Sequence, residues 1–198
     1  MKLFASTASP YARLVRAVVI EKGLDDDIAI QWVNPWDSPD ALIRANPFSR
    51  VPALETADGT VVTEALAISY FLERLHPAPA LIPSADSLAA MSKAGLAAGT
   101  TDAAVAVVIA RRLDAEGADS HPLTRRRLEA LARAMPTLAA AKGRTDVPDL
   151  GDLFLVVALD YVDFRLPDLD WKSGQPDLAR WQAAMSERPS LARTAPHD

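Results

Sequence analysis

The fold of this chain is decided by residues 2–33, which read KLFASTASPYARLVRAVVIEKGLDDDIAIQWV. The apolar run at residues 2–5 is typical of a buried strand, and Ser9-Pro10 has the N-cap and first-turn residues that start helices. Apolar residues then recur at helical spacing as far as Gly23, a residue that suits the position after a helix end. A second apolar run covers residues 28–33. Because a helix joins the two strands, we expect them to be parallel.

The next forty residues continue this α/β pattern. Ser38-Pro39 predicts the N-cap and first residue of a short helix that ends at Ala45, before Asn46-Pro47. The strands predicted at residues 51–55 and 60–63 flank a turn that contains Asp58-Gly59, so we expect an antiparallel hairpin. A third helix is predicted from about residue 64 to residue 75. The resulting order is β-α-β-α-β-β-α with a mixed four-stranded sheet.

The remainder of the chain is predicted to be helical. Three prolines within residues 77–86 indicate a stiff linker, so we expect an α/β domain over residues 1–76 and an all-α domain over residues 87–198. Asp149 and Asp152 have the spacing of a capping box. The helices of this domain are predicted at about 87–115, 122–141, 149–164 and 177–185.

Composition excludes several classes of function. The chain has 198 residues, a formal net charge of −5 and no cysteine. The negative charge argues against nucleic acid as a main partner, and the lack of cysteine removes disulfides and any protein thiol nucleophile. No run of about 18 apolar residues is evident, and the start of the chain shows no signal-peptide pattern. We therefore expect a cytoplasmic protein without a membrane partner, and the three histidines show no metal-ligand spacing.

Ser9 is the main candidate functional residue. A serine at the N-cap of a helix places its hydroxyl beside backbone N–H groups at the positive end of the helix, which stabilises an anion such as a thiolate. Since the chain has no thiol, that sulfur must belong to a ligand. Val51-Pro52 precedes a strand, where the proline cannot donate to the sheet and its peptide bond suits the cis form. Glu64 stands where the N-terminus of a helix can take an anionic group. Each of these features, taken alone, is also compatible with a purely structural role.

Three stretches in this order resemble the glutathione transferase family. They are Ser9-Pro10-Tyr11-Ala12-Arg13-Leu14-Val15-Arg16, Asn46-Pro47-Phe48-Ser49-Arg50-Val51-Pro52-Ala53-Leu54 and Glu64-Ala65-Leu66-Ala67-Ile68-Ser69-Tyr70-Phe71-Leu72-Glu73. The resemblance covers the whole chain. It implies a thioredoxin-like N-terminal domain, an all-α C-terminal domain, glutathione as co-substrate, no metal, and a cytoplasmic homodimer that serves detoxification.

The resemblance also implies a role for individual residues in glutathione binding. Ser9 is expected to hold the thiolate, with Ser6 as its rival and Tyr11 as a weaker third possibility. Val51 before cis-Pro52 is expected to pair with the cysteinyl backbone, and Arg50 to reach the glycine carboxylate. Glu64 and residue 65 are expected to hold the γ-glutamyl end. The family usually has serine at the latter position, and Ala65 lacks that hydroxyl donor.

Two functions remain open at this stage. The first is a transferase that adds glutathione to a small electrophile; serine cannot run the disulfide exchange of relatives that have cysteine before the proline. The second is a catalytically silent module of the same fold that binds a hydrophobic ligand or a protein partner. A second-substrate pocket between the domains is implied by the resemblance. Its candidate lining residues are Tyr11, Trp36, Thr101, Asp102 and Val105.

Overall fold

The first part of the chain forms a four-stranded mixed sheet. The structure is a computed structural model that describes all 198 residues. Its strands are β1 (Lys2–Ala5), β2 (Ala29–Trp32), β3 (Ala53–Glu55) and β4 (Val61–Thr63). Their order in the sheet is β2-β1-β3-β4, with β1 parallel to β2 and antiparallel to β3, and β3 antiparallel to β4. The predicted mixed sheet is confirmed.

Three helices accompany the sheet: α1 (Pro10–Glu21), α2 (Asp40–Ala45) and α3 (Ala65–Leu75). They interleave with the strands in the predicted β-α-β-α-β-β-α order. α1 buries its apolar positions, among them Leu14 and Val18, both fully buried. Such burial at helical spacing is the packing that the sequence pattern predicts.

The end of α1 depends on a glycine. Gly23 has φ +63°, a left-handed conformation that glycine adopts without the steric cost of a Cβ. Its N–H donates to the Ile20 carbonyl at 3.0 Å, and the Leu24 N–H donates to the Val19 carbonyl at 2.9 Å. This pair of bonds is a Schellman motif, which satisfies carbonyls that the helix end would otherwise leave unpaired. The predicted role of Gly23 is confirmed.

The start of α2 differs from the prediction. Ser38 is not the N-cap; it follows a 3₁₀ turn at Pro35–Asp37 and has φ +46°, while Pro39 occupies the N-cap position without a side-chain cap bond. The physical reason is an earlier turn signal, since the Asn34 side chain accepts a hydrogen bond from the Trp36 N–H at 3.2 Å. The helical region thus begins with a separate turn before Ser38.

A second compact unit, residues 84–187, is helical. It contains α4 (Ser87–Leu113), α5 (Pro122–Ala141), α6 (Leu150–Arg165), α7 (Trp171–Gly174) and α8 (Pro176–Ser186). The sequence missed α7 because four residues are too few to show a helical period.

The predicted capping box of α6 is present. The Asp149 side chain accepts from the Asp152 N–H at 3.0 Å, and the Asp152 side chain accepts from the Asp149 N–H at 3.2 Å. Lys93 on α4 forms ion pairs of 2.7 Å with both carboxylates. Gly151 allows close approach, because a Cβ there would lie 2.4 Å from the Lys93 Cβ. The box therefore both caps α6 and ties it to α4.

α4 corrects one expectation from the sequence. Over Ser87–Leu113 it is long and apolar enough, by length and composition alone, to cross a membrane, whereas no such run was expected from the sequence. Scattered polar residues such as Lys93 and Asp102 hide the run from inspection. The helix packs against α5 and α6 of its own unit and buries a row of small residues that includes Ala90, Ala94 and Ala97. A core helix of a globular unit has this character, so the finding is weak evidence for a span.

The end of the chain belongs to the first unit. Residues 188–198, which include α9 (Pro189–Ala192), cluster with residues 1–83, whereas they were expected in the all-α domain. The reason is a non-local contact with the end of α1. The Glu21 carboxylate accepts from the Arg188 guanidinium at 2.7 and 2.9 Å and from the Ser190 hydroxyl at 2.5 Å. Burial opposes ionisation, but these hydrogen bonds outweigh it and lower the pKa of Glu21.

Candidate functional site

Four loops of the first unit meet at one edge of the sheet. Phe4 of β1 is the register partner of Ala53 in β3, and Ala53 is the register partner of Thr63 in β4. Ala5 of β1 is the register partner of Trp32, the last residue of β2, so β2 ends at the same side of the sheet. Neighbouring strands lie about 4.8 Å apart. The loops after β1, β2 and β4 and the loop before β3 therefore lie side by side.

The structure brings the first-unit candidates together at this edge. Tyr11 is in the first turn of α1, which begins there. The remaining candidates lie on the four loops or directly beside them: Ser6 and Ser9 after β1, Trp36 after β2, Arg50, Val51 and Pro52 before β3, and Glu64 and Ala65 after β4.

Ser9 is the N-cap of α1, as predicted. Its hydroxyl oxygen accepts a hydrogen bond from the Ala12 N–H at 3.2 Å, and its carbonyl accepts from the Arg13 N–H at 2.9 Å. Pro10 has no N–H, so this helix end offers fewer free donors than the cap position alone suggests. The hydroxyl proton of Ser9 is not used by the cap and is available to an acceptor. Ser6 is half-buried, and its hydroxyl makes no hydrogen bond within the chain.

Val51 has an unpaired backbone. The Val51-Pro52 peptide bond is cis. Val51 is 8% exposed, yet neither its N–H nor its carbonyl makes a hydrogen bond within the chain. Since buried backbone groups are nearly always paired, this position is suited to a ligand that supplies a donor and an acceptor. The neighbouring Arg50 side chain is exposed and makes no hydrogen bond within the chain.

The loop before β3 is held by two residues that were not among the predicted site residues, Asn46 and Ser49. Asn46 is 3% exposed; its side chain accepts from the Phe48 N–H at 3.2 Å and donates to the Arg50 carbonyl at 2.9 Å. The Ser49 hydroxyl donates to the Pro35 carbonyl at 3.0 Å and joins this loop to the loop after β2. Asparagine before proline is a pattern that predicts a turn, so the role of Asn46 in the loop was partly visible in the sequence. The contact of Ser49 with Pro35 is non-local, and no local pattern predicts it.

Glu64 opens α3 in a strained conformation. It has φ +70° and ψ 128°, and its exposed side chain makes no cap bond. A non-glycine residue in this region costs about 1–3 kcal/mol and tends to occur at functional sites. The first helical bond runs from the Ile68 N–H to the Glu64 carbonyl, so the N–H groups of Ala65, Leu66 and Ala67 have no acceptor in the chain. This end of the helix can receive an anionic group.

The candidate pocket residues fall into two sets. In the first unit, Trp36 is 53% exposed. Thr101, Asp102 and Val105 are on α4 in the second unit, where Asp102 is exposed and Val105 is half-buried. Thr101 is fully buried, and its hydroxyl donates to the Ala97 carbonyl at 2.9 Å. Thr101 therefore packs within its unit and has no surface for a second substrate. No group of three His, Asp or Glu side chains is arranged to hold a metal ion.

Two buried arginines on α1 are a further feature of this unit. Arg13 and Arg16 are 2% and 8% exposed, and their guanidinium groups donate to the carbonyls of Leu191 and Arg193 at 3.3 and 3.5 Å. The Arg16 guanidinium also stacks 4.8 Å from the ring centroid of Trp32. Burial, and then the charge of Arg13, lower the pKa of Arg16. The sequence signal was available, since both arginines interrupt the apolar pattern of α1.

Comparison with known proteins gives one consistent family. Residues 8–75 match the family model described as the N-terminal domain of glutathione S-transferase. A glutathione S-transferase of Methylobacterium radiotolerans, solved in complex with glutathione sulfonate, is 33% identical, with a TM-score of 0.89 over 100% of this chain and 95% of that one. A glutathione transferase family member of Pseudomonas fluorescens with bound glutathione is 32% identical, with a TM-score of 0.92 over 100% of this chain and 99% of that one.

Curated sequences agree with the structural matches. The chain is 28% identical to "Uncharacterized GST-like protein YibF" of Escherichia coli over 99% of this chain and 98% of that protein. It is also 33% identical to maleylacetoacetate isomerase of Pseudomonas aeruginosa, over 50% of this chain and 47% of that protein. The match to YibF spans both units.

Proposed function

Because this chain belongs to the glutathione S-transferase family, we propose that it binds glutathione at the edge of its sheet and transfers it to a small electrophile. The observation that carries the proposal is the hydroxyl of Ser9. The Ala12 N–H fixes its oxygen, and its proton is available to a sulfur anion. The relatives from M. radiotolerans and P. fluorescens, which hold glutathione sulfonate and glutathione, support this choice of ligand.

The proposed pose follows the unpaired groups of the site. The thiolate accepts from the Ser9 hydroxyl, and the cysteinyl backbone pairs with the N–H and carbonyl of Val51. The γ-glutamyl end lies at the N-terminus of α3, held by Glu64 and the N–H of Ala65. The glycine carboxylate meets Arg50. Each assignment joins an unpaired protein group to a glutathione group of opposite hydrogen-bonding character or charge.

The proposed reaction is nucleophilic attack by the glutathione sulfur. A free thiol with a pKa of about 8.5 is mostly protonated at neutral pH, so stabilising the anion raises the fraction that can react. The sulfur then forms a bond to an electrophilic carbon. An aryl halide loses halide, which departs with its electron pair, whereas an isothiocyanate loses no group and its nitrogen takes up a proton from water. The protein contributes stabilisation of the thiolate and proximity of the two reactants.

The second substrate, the assembly and the location complete the proposal. We propose Tyr11 and Trp36 of the first unit as contacts of the electrophile. A cytoplasmic homodimer with a detoxifying role is proposed on family membership, and a chain without cysteine needs no oxidising compartment. Exposed apolar side chains, such as Leu88 at 84%, offer surface for assembly. The molar mass of the purified protein in solution, measured by light scattering, tests the proposed dimer.

A silent binding module is the second candidate function. Ala65 favours it, because the γ-glutamyl carboxylate then loses one hydroxyl donor. A hydrogen bond to a charged group contributes about 1.5–3 kcal/mol to binding. Losing one such bond weakens glutathione binding but does not abolish it, because the site has several other contacts. Ser9, Val51 and Glu64 favour the enzyme, since a module that binds only a hydrophobic ligand has no use for their unpaired groups.

The test combines glutathione binding with turnover. The wild-type protein is expected to bind immobilised glutathione and to conjugate glutathione to a generic aryl halide or isothiocyanate. Ser9→Ala should lower kcat/KM by about 10- to 100-fold, the loss of one hydrogen bond to an anion. Ser6→Ala is the matched control and should retain wild-type activity. Failure to bind glutathione, or full activity in Ser9→Ala, contradicts the proposed enzyme.

A further inference from the structure

Ser49 is a serine in a backbone conformation that favours glycine. Its φ is +50°, in the left-handed region that a Cβ disfavours. A residue other than glycine that keeps this conformation is held there by its surroundings. The half-buried side chain of Ser49 has such a contact, because its hydroxyl donates to the Pro35 carbonyl at 3.0 Å. A glycine would lack this bond, which joins two loops of the first unit.

The bond from Ser49 reaches the turn that carries Trp36. Pro35 opens the 3₁₀ turn after β2, and Trp36 follows it with an exposed side chain. Two further hydrogen bonds of this turn are local. The Trp36 N–H donates to the Asn34 side chain at 3.2 Å, and the Ser38 N–H donates to the Pro35 carbonyl at 3.3 Å. Such local bonds fix the shape of the turn, whereas the bond from Ser49 fixes its place against the loop before β3.

The loop before β3 has hydrogen bonds that do not depend on the Ser49 hydroxyl. The Asn46 side chain donates to the Arg50 carbonyl at 2.9 Å, and the Asn46 carbonyl accepts from the Ser49 N–H at 2.9 Å. Both bonds remain when the hydroxyl is removed. The Pro35 carbonyl then keeps the Ser38 N–H as a donor, so it is not left without a partner. Loss of the hydroxyl should therefore release the turn and leave the proposed glutathione contacts in place.

We propose that Ser49 is a positioning residue for the second substrate, because it holds the turn that carries Trp36 beside the glutathione-binding loop. The inference rests on the proposed function and deepens it, since it names the residue that places an electrophile contact relative to glutathione. Ser49 precedes Arg50 and Val51, the proposed glutathione contacts, so its bond to Pro35 brings the turn next to them. In this role Ser49 acts through Trp36. Because catalysis by proximity needs both reactants in fixed geometry, a displaced Trp36 should weaken use of the electrophile.

The experiment compares two isothiocyanates on the full-length protein at saturating glutathione. Benzyl isothiocyanate has an aromatic ring that can stack on Trp36, and allyl isothiocyanate has the same reacting group without the ring. Ser49→Ala should lower kcat/KM for benzyl isothiocyanate by about 2- to 10-fold, the effect of one ordinary hydrogen bond. The loss for allyl isothiocyanate should be much smaller. The Kd for glutathione, measured by calorimetry, should stay within about twofold of wild type.

Further variants separate the hydroxyl of Ser49 from its backbone. Ser49→Gly also lacks the hydroxyl but relieves the strain of a positive φ, so a loss similar to that of Ser49→Ala assigns the effect to the hydroxyl. Wild-type kcat/KM in Ser49→Gly would assign the loss in Ser49→Ala to the backbone and overturn the inference. Ser38→Ala is the matched control, with wild-type kcat/KM expected. Ser38 has φ +46° in the same turn, and its exposed hydroxyl makes no hydrogen bond within the chain.

A double-mutant cycle tests whether Ser49 acts through Trp36. Trp36→Ala alone should lower kcat/KM for benzyl isothiocyanate more than Ser49→Ala does, since it removes the ring itself. If Ser49 positions that ring, adding Ser49→Ala to Trp36→Ala should have no further effect. Additive losses, or wild-type kcat/KM in Trp36→Ala, would overturn the inference.

The failures of the two proposals are distinguishable. If the wild-type protein neither binds glutathione nor consumes either isothiocyanate, the proposed function fails and this inference falls with it. If the wild-type protein is active and Ser49→Ala keeps its kcat/KM for benzyl isothiocyanate, or weakens glutathione binding by the same factor, the proposed function stands and the role of Ser49 is overturned. If neither Ser49→Ala nor Ser49→Gly folds, the hydroxyl is a structural element and the inference is likewise overturned.

Discussion

Residue 65 offers the sharpest test of where glutathione lies. Ala65 is the first residue of α3, 4% exposed, with an N–H that has no acceptor in the chain. If the γ-glutamyl carboxylate sits there, Ala65→Ser adds a hydroxyl donor to a bound anion. A hydrogen bond to a charged group contributes about 1.5–3 kcal/mol, and each 1.4 kcal/mol is about tenfold in Kd.

The expected gain is reduced by two smaller terms. Serine is a weaker helix former than alanine by a few tenths of a kcal/mol, although the first turn tolerates it well. A hydroxyl at a buried position also loses water in the free protein, a cost that the ligand bond must exceed. We therefore expect the lower end of the range, a Kd for glutathione about tenfold tighter, measured by calorimetry at fixed pH and salt.

A matched control is available on the same helix. Ala67→Ser makes the same chemical change two residues later on the exposed side of α3, where no ligand group is proposed. Its Kd should remain within about twofold of wild type. If Ala65→Ser leaves the Kd unchanged while the protein stays folded, or if both variants tighten it equally, the γ-glutamyl placement is refuted. Glutathione would then need a different orientation at the sheet edge.

Two further predictions concern stability. Because hydrogen bonds lower the pKa of Glu21 in the folded state, its contribution is present above its ordinary pKa near 4.5 and is lost as pH falls through the lowered value. Glu21→Gln, which weakens the bond to Arg188, should lower the free energy of unfolding by about 1.5–3 kcal/mol at neutral pH and by much less near pH 2, measured by urea unfolding. An equal loss at the two pH values would contradict the assigned role of the Glu21 charge. Gly151→Ala places a Cβ 2.4 Å from the Lys93 Cβ and should destabilise the helical unit by about 1–3 kcal/mol. Gly99→Ala, which has open space around it, should be neutral or stabilising in the same denaturation assay, and equal losses would refute the packing argument.

Local signals predicted most of the first unit. The cap at Ser9 and the stop at Gly23 each depend on residues within one helical turn, and the structure has both where the sequence predicted them. Ser38 shows the limit of such signals. Its Ser-Pro pair has the right chemistry for a helix start, but the competing turn begun by Asn34 takes precedence. When two turn signals lie within five residues, local preference alone does not decide between them.

Long-range contacts account for what the sequence could not provide. The return of residues 188–198 to the first unit depends on Arg188 meeting Glu21, which is 167 residues away along the chain. No periodicity records such a pair. The buried arginines of α1 were visible as charges, but their burial follows from the carbonyls of the same returning segment. The contact of residues 188–198 with α1 forms only in the folded chain, and it holds the helix that begins at Ser9.

The cap and the proposed catalytic role of Ser9 use different parts of one hydroxyl. Its oxygen accepts from the Ala12 N–H, and this contact limits the rotation of the side chain. A hydroxyl has one proton and two lone pairs, so the cap leaves the proton for the sulfur. A donation from Ala12 also polarises the O–H bond and strengthens it as a donor. The structural role is thus compatible with the proposed chemical one, because the N-cap position holds the hydroxyl and leaves its proton for the sulfur anion that we propose there.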